Sequence, residues 1–376
     1  MDIGRVHAYG LLIISLLFIP LLSDNDDTLF SAEKIYEIGR DVNNDPQLFG
    51  DIIGIASDSE GRVYVGDRQS LSIKVFDRDG KFLREIGRPG RGPGEFQYLD
   101  VIGTVGPSRV LVVDFLQRRA TYFSGEGEVL DTYTSTSLAD KSVRGEIHEL
   151  PSGNRFLVLN KRDRRLFHLY KKDSLDHITS FGEASLSGLD GSRFMDEFTD
   201  SQPGFFCVDA SGGILYVPPI YDEKIYRFER LEERWSLVDT LKGQVESDVH
   251  AAGEPYRTSD RPDDVMSISS AEWEDYSARD INHWSLGIFP FEENRIIHFS
   301  YVDSPDEPFV QAELFDQDGE LLAYGSVENV SFPDWSEPVP PIYFEAKGLQ
   351  RRFYVQDLRE FDTLGAFRID VRNQSD

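Results

Sequence analysis

Sulfur is scarce in this sequence. The 376 residues include three methionines and one cysteine, Cys207. A single cysteine excludes an intrachain disulfide and a cysteine-based metal site. Because Cys207 lies in the middle of the chain, it is not a lipid-attachment cysteine near the amino terminus. We expect Cys207 to behave as a small buried hydrophobic residue.

Positive charge is also scarce. The chain has 39 lysines and arginines against 67 aspartates and glutamates, a formal net charge of −28. Such a charge repels a phosphate backbone, so we expect no nucleic-acid partner. No long acidic run concentrates the negative charge, which predicts a solvated acidic surface.

The sequence has one apolar run of note, at residues 11–22 (LLIISLLFIPLL). About a dozen residues suit the core of a signal peptide, whereas a membrane span needs about 20. Arg5 precedes the run and the polar residues 23–27 follow it. Residues 1–23 are therefore predicted to be a signal peptide, with an uncleaved anchor as the alternative. Both predict a periplasmic or extracellular protein that meets the membrane only through this segment.

Glycine-rich residues 87–96 (GRPGRGPGEF) lack the context of a phosphate-binding loop. Such a loop needs a Lys-Ser or Lys-Thr pair and a helix whose amino terminus faces the anion. Here Glu95 and Phe96 follow, and then a predicted strand. We interpret the stretch as a sharp joint between repeated units. A Gly-x-Ser-x-Gly nucleophile elbow is also absent from the sequence.

An internal repeat begins on either side of this joint. Residues 98–114 resemble residues 50–67, and residues 119–133 resemble residues 72–87. Each copy alternates apolar and polar residues around turns such as Asp79-Gly80. An Asp-Gly pair between alternating runs predicts a hairpin whose two central residues both have positive φ. One unit is thus predicted to contain four short antiparallel strands.

The same pattern continues to the carboxyl terminus and predicts an all-β fold of six units. The chain ends before the last strand of the sixth unit, whereas residues 33–39 (EKIYEIG) resemble residues 81–87, the fourth strand of the first unit. We therefore expect the amino-terminal strand to complete the last unit and close a ring, because an open assembly leaves edges unpaired. The six units span about 50–87, 98–133, 145–182, 205–243, 285–325, and 341–373 plus 33–39.

Residues 86–96 (IGRPGRGPGEF) and the following unit resemble NHL-repeat proteins, within the six-bladed β-propellers of the calcium-dependent lactonase type. The whole chain resembles exported bacterial "6-bladed β-propeller" proteins. The resemblance implies one propeller domain over 24–376, with four-stranded antiparallel blades and insertions at 183–204 and 244–284. It implies little about activity, since propellers include binding modules, lyases and lactonases.

The second insertion contains a predicted short helix at 269–284. Ser269 and Glu272 fit a capping box. The helix either packs onto one mouth of the ring or forms a lid over a ligand. The candidate lid or rim residues are Trp273, Tyr276, His283 and Trp284.

The resemblance also implies a channel in which the lactonases hold Ca²⁺. Asp51, Asp100 and Glu146 are placed at or near the start of the innermost strands of units 1 to 3. Their carboxylates either converge on one cation, as oxygen ligands suit calcium, or cap the strand entrances at a solvated rim. The asparagine ligands expected of that family are not found at these positions.

The spacing of the histidines gives little support for a histidine-dependent catalytic or zinc site. His148, His283 and His298 fall in or beside predicted strands, and the sequence has no His-x-His or His-x-Glu pair. The predicted function is a monomeric binding or scaffold module for a protein, peptide or saccharide, with Ca²⁺ in the central channel as the one candidate cofactor. The alternative is a divalent-cation-dependent hydrolase or lyase with its site in the central channel.

Overall fold

Almost every regular element that the structure describes is a β-strand. The computed structural model describes residues 30–39, 48–134, 147–150, 155–162, 164–172, 174, 176–187, 204–244, 283–302, 309–330, 342–344, 352–357 and 363–372. Within these ranges the short 3₁₀ turns include Ala184–Ser187 and Glu292–Asn294. None of the described helical segments is long and apolar enough to cross a membrane.

The strands follow one another in antiparallel sets of four. Strand β1 (Phe30–Ile38) precedes unit 1, and two short strands pair in parallel between units 1 and 2. The first half of the chain comprises β2 (Ile52–Ser57), β3 (Val63–Asp67), β4 (Ser72–Phe76) and β5 (Phe82–Ile86) in unit 1; the short β6 (Arg88–Pro89) and β7 (Glu95–Phe96); β8 (Val101–Val105), β9 (Arg109–Asp114), β10 (Arg119–Ser124) and β11 (Val129–Thr134) in unit 2; and β12 (Ile147–Glu149), β13 (Arg155–Arg162), β14 (Arg165–Lys171) and β15 (His177–Glu183) in unit 3.

The second half repeats this order. Units 1 to 4 are separate four-stranded sheets, whereas units 5 and 6 and β1 share one eight-stranded sheet. These strands are β16 (Phe205–Val208), β17 (Ile214–Val217), β18 (Lys224–Leu231) and β19 (Arg234–Lys242) in unit 4; β20 (His283–Pro290), β21 (Ile296–Val302), β22 (Phe309–Phe315) and β23 (Leu321–Glu328) in unit 5; and β24 (Ile342–Phe344), β25 (Arg352–Asp357) and β26 (Thr363–Val371) in unit 6.

Strand β1 is the fourth strand of unit 6. It pairs antiparallel with β26 along its whole length, from Phe30 opposite Val371 to Ile38 opposite Leu364. Its first residues also bridge to β23 in parallel, with Phe30 opposite Val327. The two ends of the chain therefore lie in one sheet.

The hairpins between third and fourth strands depend on an aspartate and a glycine. Asp77 Oδ1 accepts hydrogen bonds from the amides of Asp79 (3.0 Å) and Lys81 (2.9 Å). Only Gly80 has positive φ (83°), and the register shifts at Phe76. The prediction that both central residues have positive φ was wrong, because the aspartate and a glycine bulge build the turn. Asp316 and Gly319 repeat the arrangement.

Apolar clusters lie between consecutive units. Tyr64 of unit 1 packs in one cluster with Val110 of unit 2, and Phe167 of unit 3 packs with Phe206 of unit 4. Other clusters join unit 2 to unit 3, unit 4 to unit 5, and unit 5 to unit 6. A further cluster joins β1 and unit 6 to unit 1. Each unit thus buries its faces against its neighbours, as propeller blades do.

Candidate functional site

Asp67 and Asp114, with their hydrogen-bond partners, lie at one end of units 1 and 2, which we call the entry end. It is the end at which the first strand of a unit begins and the second strand finishes. In unit 1 the amide of Asp51, just before β2, donates to Asp67 Oδ1 at the end of β3 (3.1 Å). First strands of neighbouring units contact one another, β2 with β8 and β16 with β20. One polar group lies at the entry end of units 1 and 2, and a second lies within unit 5, where Gln244 of unit 4 contacts it.

Two aspartates hold the segment that precedes the first strand of units 1 and 2. They are Asp67 and Asp114, the last residues of the second strands of these units. Asp114 Oδ2 accepts from the amide of Gln97 (2.8 Å), and Asp114 Oδ1 accepts from the amide of Gln117 (2.8 Å). Asp67 also pairs with the buried Lys74 (Oδ2–Nζ 3.1 Å). Both aspartates are at most 2% exposed, so their role is to hold the entry end in shape.

A mixed aromatic and charged surface, which we call the rim patch, consists of Asp51, Arg68 and Tyr98. The Arg68 guanidinium lies 4.9 Å from the centre of the Tyr98 ring and pairs with Asp51 (Nη1–Oδ2 2.9 Å). Arg68 Nε also donates to the carbonyl of Leu99 (3.2 Å). The Tyr98 residue is 41% exposed and the Asp51 side chain 47%. The rim patch therefore offers solvent an aromatic ring held beside a fixed ion pair.

Asp100 lies beneath this surface, just before β8. It is 5% exposed, and its Oδ2 accepts from the amide of Phe115 (2.7 Å). Burial raises the pKa of Asp100 to about 7, and the charge of Asp114 adds to the rise. Asp100 is therefore a buried carboxyl that binds or releases a proton near neutral pH.

Replacement of Asp100 by asparagine should change the pH dependence of folding. Because the pKa is raised from about 4 to about 7 in the folded protein, the wild type loses stability as pH rises through that window. Asparagine stays neutral and can still accept from Phe115. As the pH rises from 4 to 8, we expect the free energy of unfolding of Asp100→Asn to increase by roughly 2–4 kcal/mol relative to that of the wild type. Urea unfolding at the two pH values measures this change.

The control for this prediction is Asp51→Asn, which removes an exposed ion pair worth about 0–1 kcal/mol. Its difference from wild type should stay small at both pH values. If the free energies of unfolding of Asp100→Asn and the wild type differ by the same amount at pH 4 and pH 8, the raised pKa of Asp100 is contradicted.

The predicted calcium ligands do not present free carboxylates together. Asp51 is paired with Arg68, and Asp100 is held by the amide of Phe115 at a position that disfavours its charge. In the part of the chain that the structure describes, no three His, Cys, Asp or Glu side chains are grouped so that they could hold a metal ion. These two residues therefore do not fit a calcium centre by themselves. Glu146 lies outside the described residues, so the three-carboxylate site stays a prediction.

The second polar group crosses the first three strands of unit 5, and we call its core the relay. Glu313 Oε2 on β22 lies 2.7 Å from His298 Nδ1 on β21, and His298 Nε2 lies 3.2 Å from Ser285 Oγ on β20. Ser285 is 4% exposed, and the other two residues are fully buried. Because an ionised carboxylate only accepts hydrogen bonds, it fixes the proton of His298 on Nδ1 and leaves Nε2 to accept from Ser285.

The relay is held from unit 4. The amide of Gln244 donates to Glu313 Oε1 (2.5 Å), which fixes the second carboxylate oxygen. The buried Tyr221 ring lies 4.3 Å from the His298 ring, and burial, followed by the charge of Glu313, holds the pKa of Tyr221 well above its usual value. A Cβ at Gly243 would overlap both the Tyr221 hydroxyl and Glu313 Oε1, so this close approach needs glycine.

A second histidine–serine pair lies beside the relay. His283 Nε2 is 2.7 Å from Ser300 Oγ, and both residues are fully buried. His283 Nδ1 has no hydrogen-bond partner among the described residues. Burial, with the nearby His298, lowers the pKa of His283 to about 3. His283 is therefore a neutral histidine without the carboxylate that the relay provides.

The predicted lid residues are only partly placed. Trp273 and Tyr276 lie outside the described residues, so their part in a lid stays a prediction. His283 and Trp284 begin strand β20, and Trp284 packs against the cluster that joins units 5 and 6. The predicted helix was therefore wrong at its last two residues, because the main chain of His283 and Trp284 pairs with β21. Residues 269–282 lie outside the described residues.

The glycine-rich joint at 87–96 is closed by its own glutamate. Glu95 Oε2 accepts from the amides of Arg91 (3.0 Å) and Gly92 (2.7 Å), and Glu95 Oε1 accepts from Arg88 (2.8 Å). These contacts hold the pKa of Glu95 below its usual value. The next main element is strand β8, as predicted. The amides that could hold an anion thus bind a carboxylate of the same chain.

The repeated four-stranded units define the class of protein, a six-bladed β-propeller. A family model described as "6-bladed beta-propeller" (DUF5128) matches residues 43–331. The chain therefore belongs to this family. No curated protein matches the chain.

Solved structures with a similar fold come from proteins of different kinds. A "Putative exported protein" of Bacteroides fragilis has 13% sequence identity and a TM-score of 0.56, over 93% of this chain and 98% of the other. Virginiamycin B lyase of Staphylococcus aureus, solved with quinupristin, has 10% identity and a TM-score of 0.45, over 90% and 99%. A luciferin-regenerating enzyme has 11% identity and a TM-score of 0.45, over 90% and 95%. At 13% identity, the likeness to the Bacteroides fragilis protein shows the fold alone.

Proposed function

We propose that this protein is an exported binding module that takes up a protein, peptide or saccharide ligand at the entry end. The observation that carries the proposal is the rim patch. Its Tyr98 ring is 41% exposed although the guanidinium of Arg68 stacks near it. An aromatic ring with a fixed polar neighbour is a common anchor in binding surfaces, since the ring buries much area at low entropic cost.

The rim patch is also built to stay in place. Arg68 is held at three points, by Asp51, by the carbonyl of Leu99 and by the Tyr98 ring. The main chain of Tyr98 is held in turn by Asp114. A rigid patch loses little conformational freedom on binding, which favours affinity. Leu116, which is 53% exposed, follows the end of β9 and is a further exposed apolar residue at the entry end of unit 2.

A screen of peptide and glycan arrays with the full exported chain tests the proposal. Ligands that bind the wild type should bind Tyr98→Ala at least about tenfold more weakly, since an anchoring residue contributes more than about 1.4 kcal/mol. The matched control is Tyr324→Ala, because Tyr324 is 36% exposed on the outer strand β23. Ligands that bind both variants equally, or no ligand at all, would contradict a binding role for the rim patch.

We propose further that residues 1–23 direct export and that residues 24–376 form one propeller domain, with insertions at 183–204 and 244–284. The apolar run at 11–22 supports export. Contact with a membrane is then limited to this segment. The net charge of −28 supports a partner other than nucleic acid. We expect the exported domain to be a monomer.

We propose also that β1 closes the ring of six units. The pairing of β1 with β26 supports this closure, and so does the apolar cluster in which Ile38 of β1 and Tyr354 of unit 6 pack with Ile52 of unit 1. A closed ring leaves no unit with an unburied face. The closure therefore makes the entry end a single continuous surface.

A further inference from the structure

The relay has the arrangement of an activated nucleophile. A serine hydroxyl, a histidine that accepts from it and a carboxylate on the far nitrogen of the ring are the three parts of that device. Here the two joining distances are 3.2 Å and 2.7 Å. Distances of this size place a general base within reach of the proton that it removes.

The sheet itself sets this geometry. His298 and Glu313 are direct cross-strand partners on β21 and β22. Ser285 on β20 is the register partner of Ser300 on β21, and the register of β20 shifts between Ser285 and Gly287. The Ser285 hydroxyl therefore reaches the ring of His298, two residues before Ser300, diagonally across the two strands. Bulges of this kind re-aim side chains and are frequent beside active sites. Sites on strands also hold their geometry better than sites on loops.

We propose that Ser285 is a nucleophile activated by His298 and positioned through Glu313, and that it acts on carboxylic esters that reach the entry end. The Ser285 oxygen attacks the ester carbonyl carbon while its proton passes to His298 Nε2. The bond from carbon to the alcohol oxygen then breaks, and the alcohol leaves with that proton. Water hydrolyses the acyl-serine by the same route in reverse. This goes beyond the binding role and does not depend on the rim patch.

The neighbouring pair of His283 and Ser300 is an internal control. It has the same residue types in the same sheet, the same burial and a serine–histidine distance of 2.7 Å. It lacks a carboxylate on the second nitrogen, since His283 Nδ1 has no partner among the described residues. Without that partner the ring is not oriented and the imidazolium is not stabilised. The inference therefore predicts a reactive Ser285 and an inert Ser300.

The test is covalent labelling of the full chain with diisopropyl fluorophosphate, followed by intact mass and peptide mapping. The Ser285 oxygen displaces fluoride from phosphorus and its proton passes to His298. We expect a single label on Ser285. The label should be lost in Ser285→Ala, kept in Ser300→Ala, and slowed about 100-fold in His298→Gln. Thermal unfolding of each variant checks that it is folded.

Glu313→Gln gives a second readout that a purely structural role would not change. Loss of the negative charge should slow labelling, because the carboxylate orients His298 and stabilises the imidazolium that forms when His298 takes the Ser285 proton. Three outcomes would overturn the inference: no label above that of Ser285→Ala, a label on Ser300, or an unchanged labelling rate in a folded Glu313→Gln protein.

Discussion

Replacement of Asp67 by alanine is expected to lower the free energy of unfolding by about 3–5 kcal/mol. The Asp67 carboxylate accepts from the amides of Gly50, Asp51 and Gln69 and from Ser70, and it pairs with Lys74. Lys74 is 4% exposed, and its Nζ also contacts the carbonyl of Leu48 and lies 5.4 Å from the centre of the Phe49 ring. The variant leaves a buried ammonium without its counter-charge. Urea unfolding at pH 7 measures the loss.

Two further variants separate this cause from a general sensitivity to loss of aspartate. Asp77→Ala removes a turn aspartate with two amide contacts in the same unit, and should cost only about 1 kcal/mol. Asp67→Asn combined with Lys74→Met should recover much of the stability, because the unpaired buried charge is then absent. A double variant as unstable as Asp67→Ala would show that the charge is not the cause.

The second large effect is expected at β1. Phe30 is fully buried in the cluster shared by units 5 and 6, although it precedes unit 1 in the chain. Phe30→Ala should lower the free energy of unfolding by about 3–5 kcal/mol through the lost burial and the cavity that remains. Chemical denaturation followed by tryptophan fluorescence measures the change.

Ile35 provides the control on the same strand. It is 38% exposed, so Ile35→Ala should cost less than about 1 kcal/mol. Equal losses for the two variants would mean that β1 is not packed into the sheet as described.

The unit order could be predicted because each unit carries its own turn chemistry. The aspartate and glycine of the hairpin at 77–80 recur at 316–319. Such residues determine local backbone structure, and their spacing is visible in one sequence. The conformation of the turns was predicted less well, since an Asp-Gly pair is compatible with both a two-residue turn and a glycine bulge.

The relay could not be predicted from spacing, because Ser285, His298 and Glu313 are 13 and 15 residues apart. The cross-strand register brings them together, and it does not follow from composition. One signal was present in the sequence. His298 and Ser300, like Gln311 and Glu313, are polar residues at alternate positions of otherwise apolar strands, which places them on one buried face.

The rim patch was predicted in part. Asp51 and Asp100 do precede the first strands of their units. Their chemistry differs from the expected cation ligands because Arg68 and the amide of Phe115 already engage them. Each partner directly follows the second strand of its unit. Arg68 is 17 residues after Asp51, and Phe115 is 15 residues after Asp100. An inspection of Asp51 and Asp100 alone in the sequence does not reveal these partners.

The most direct test of the account is a cross-link between the two ends of the chain. Ser31 and Asp370 are opposite each other on β1 and β26, and Cys207 is the single native cysteine. In a Cys207→Ala background, the pair Ser31→Cys and Asp370→Cys should form a disulfide within one molecule under mild oxidation and raise the unfolding temperature. The control pair Ser31→Cys and Asp131→Cys, with Asp131 on β11, should not. If the first pair forms only intermolecular disulfides, or forms no faster than the control, the ends do not share a sheet and the closed propeller is contradicted.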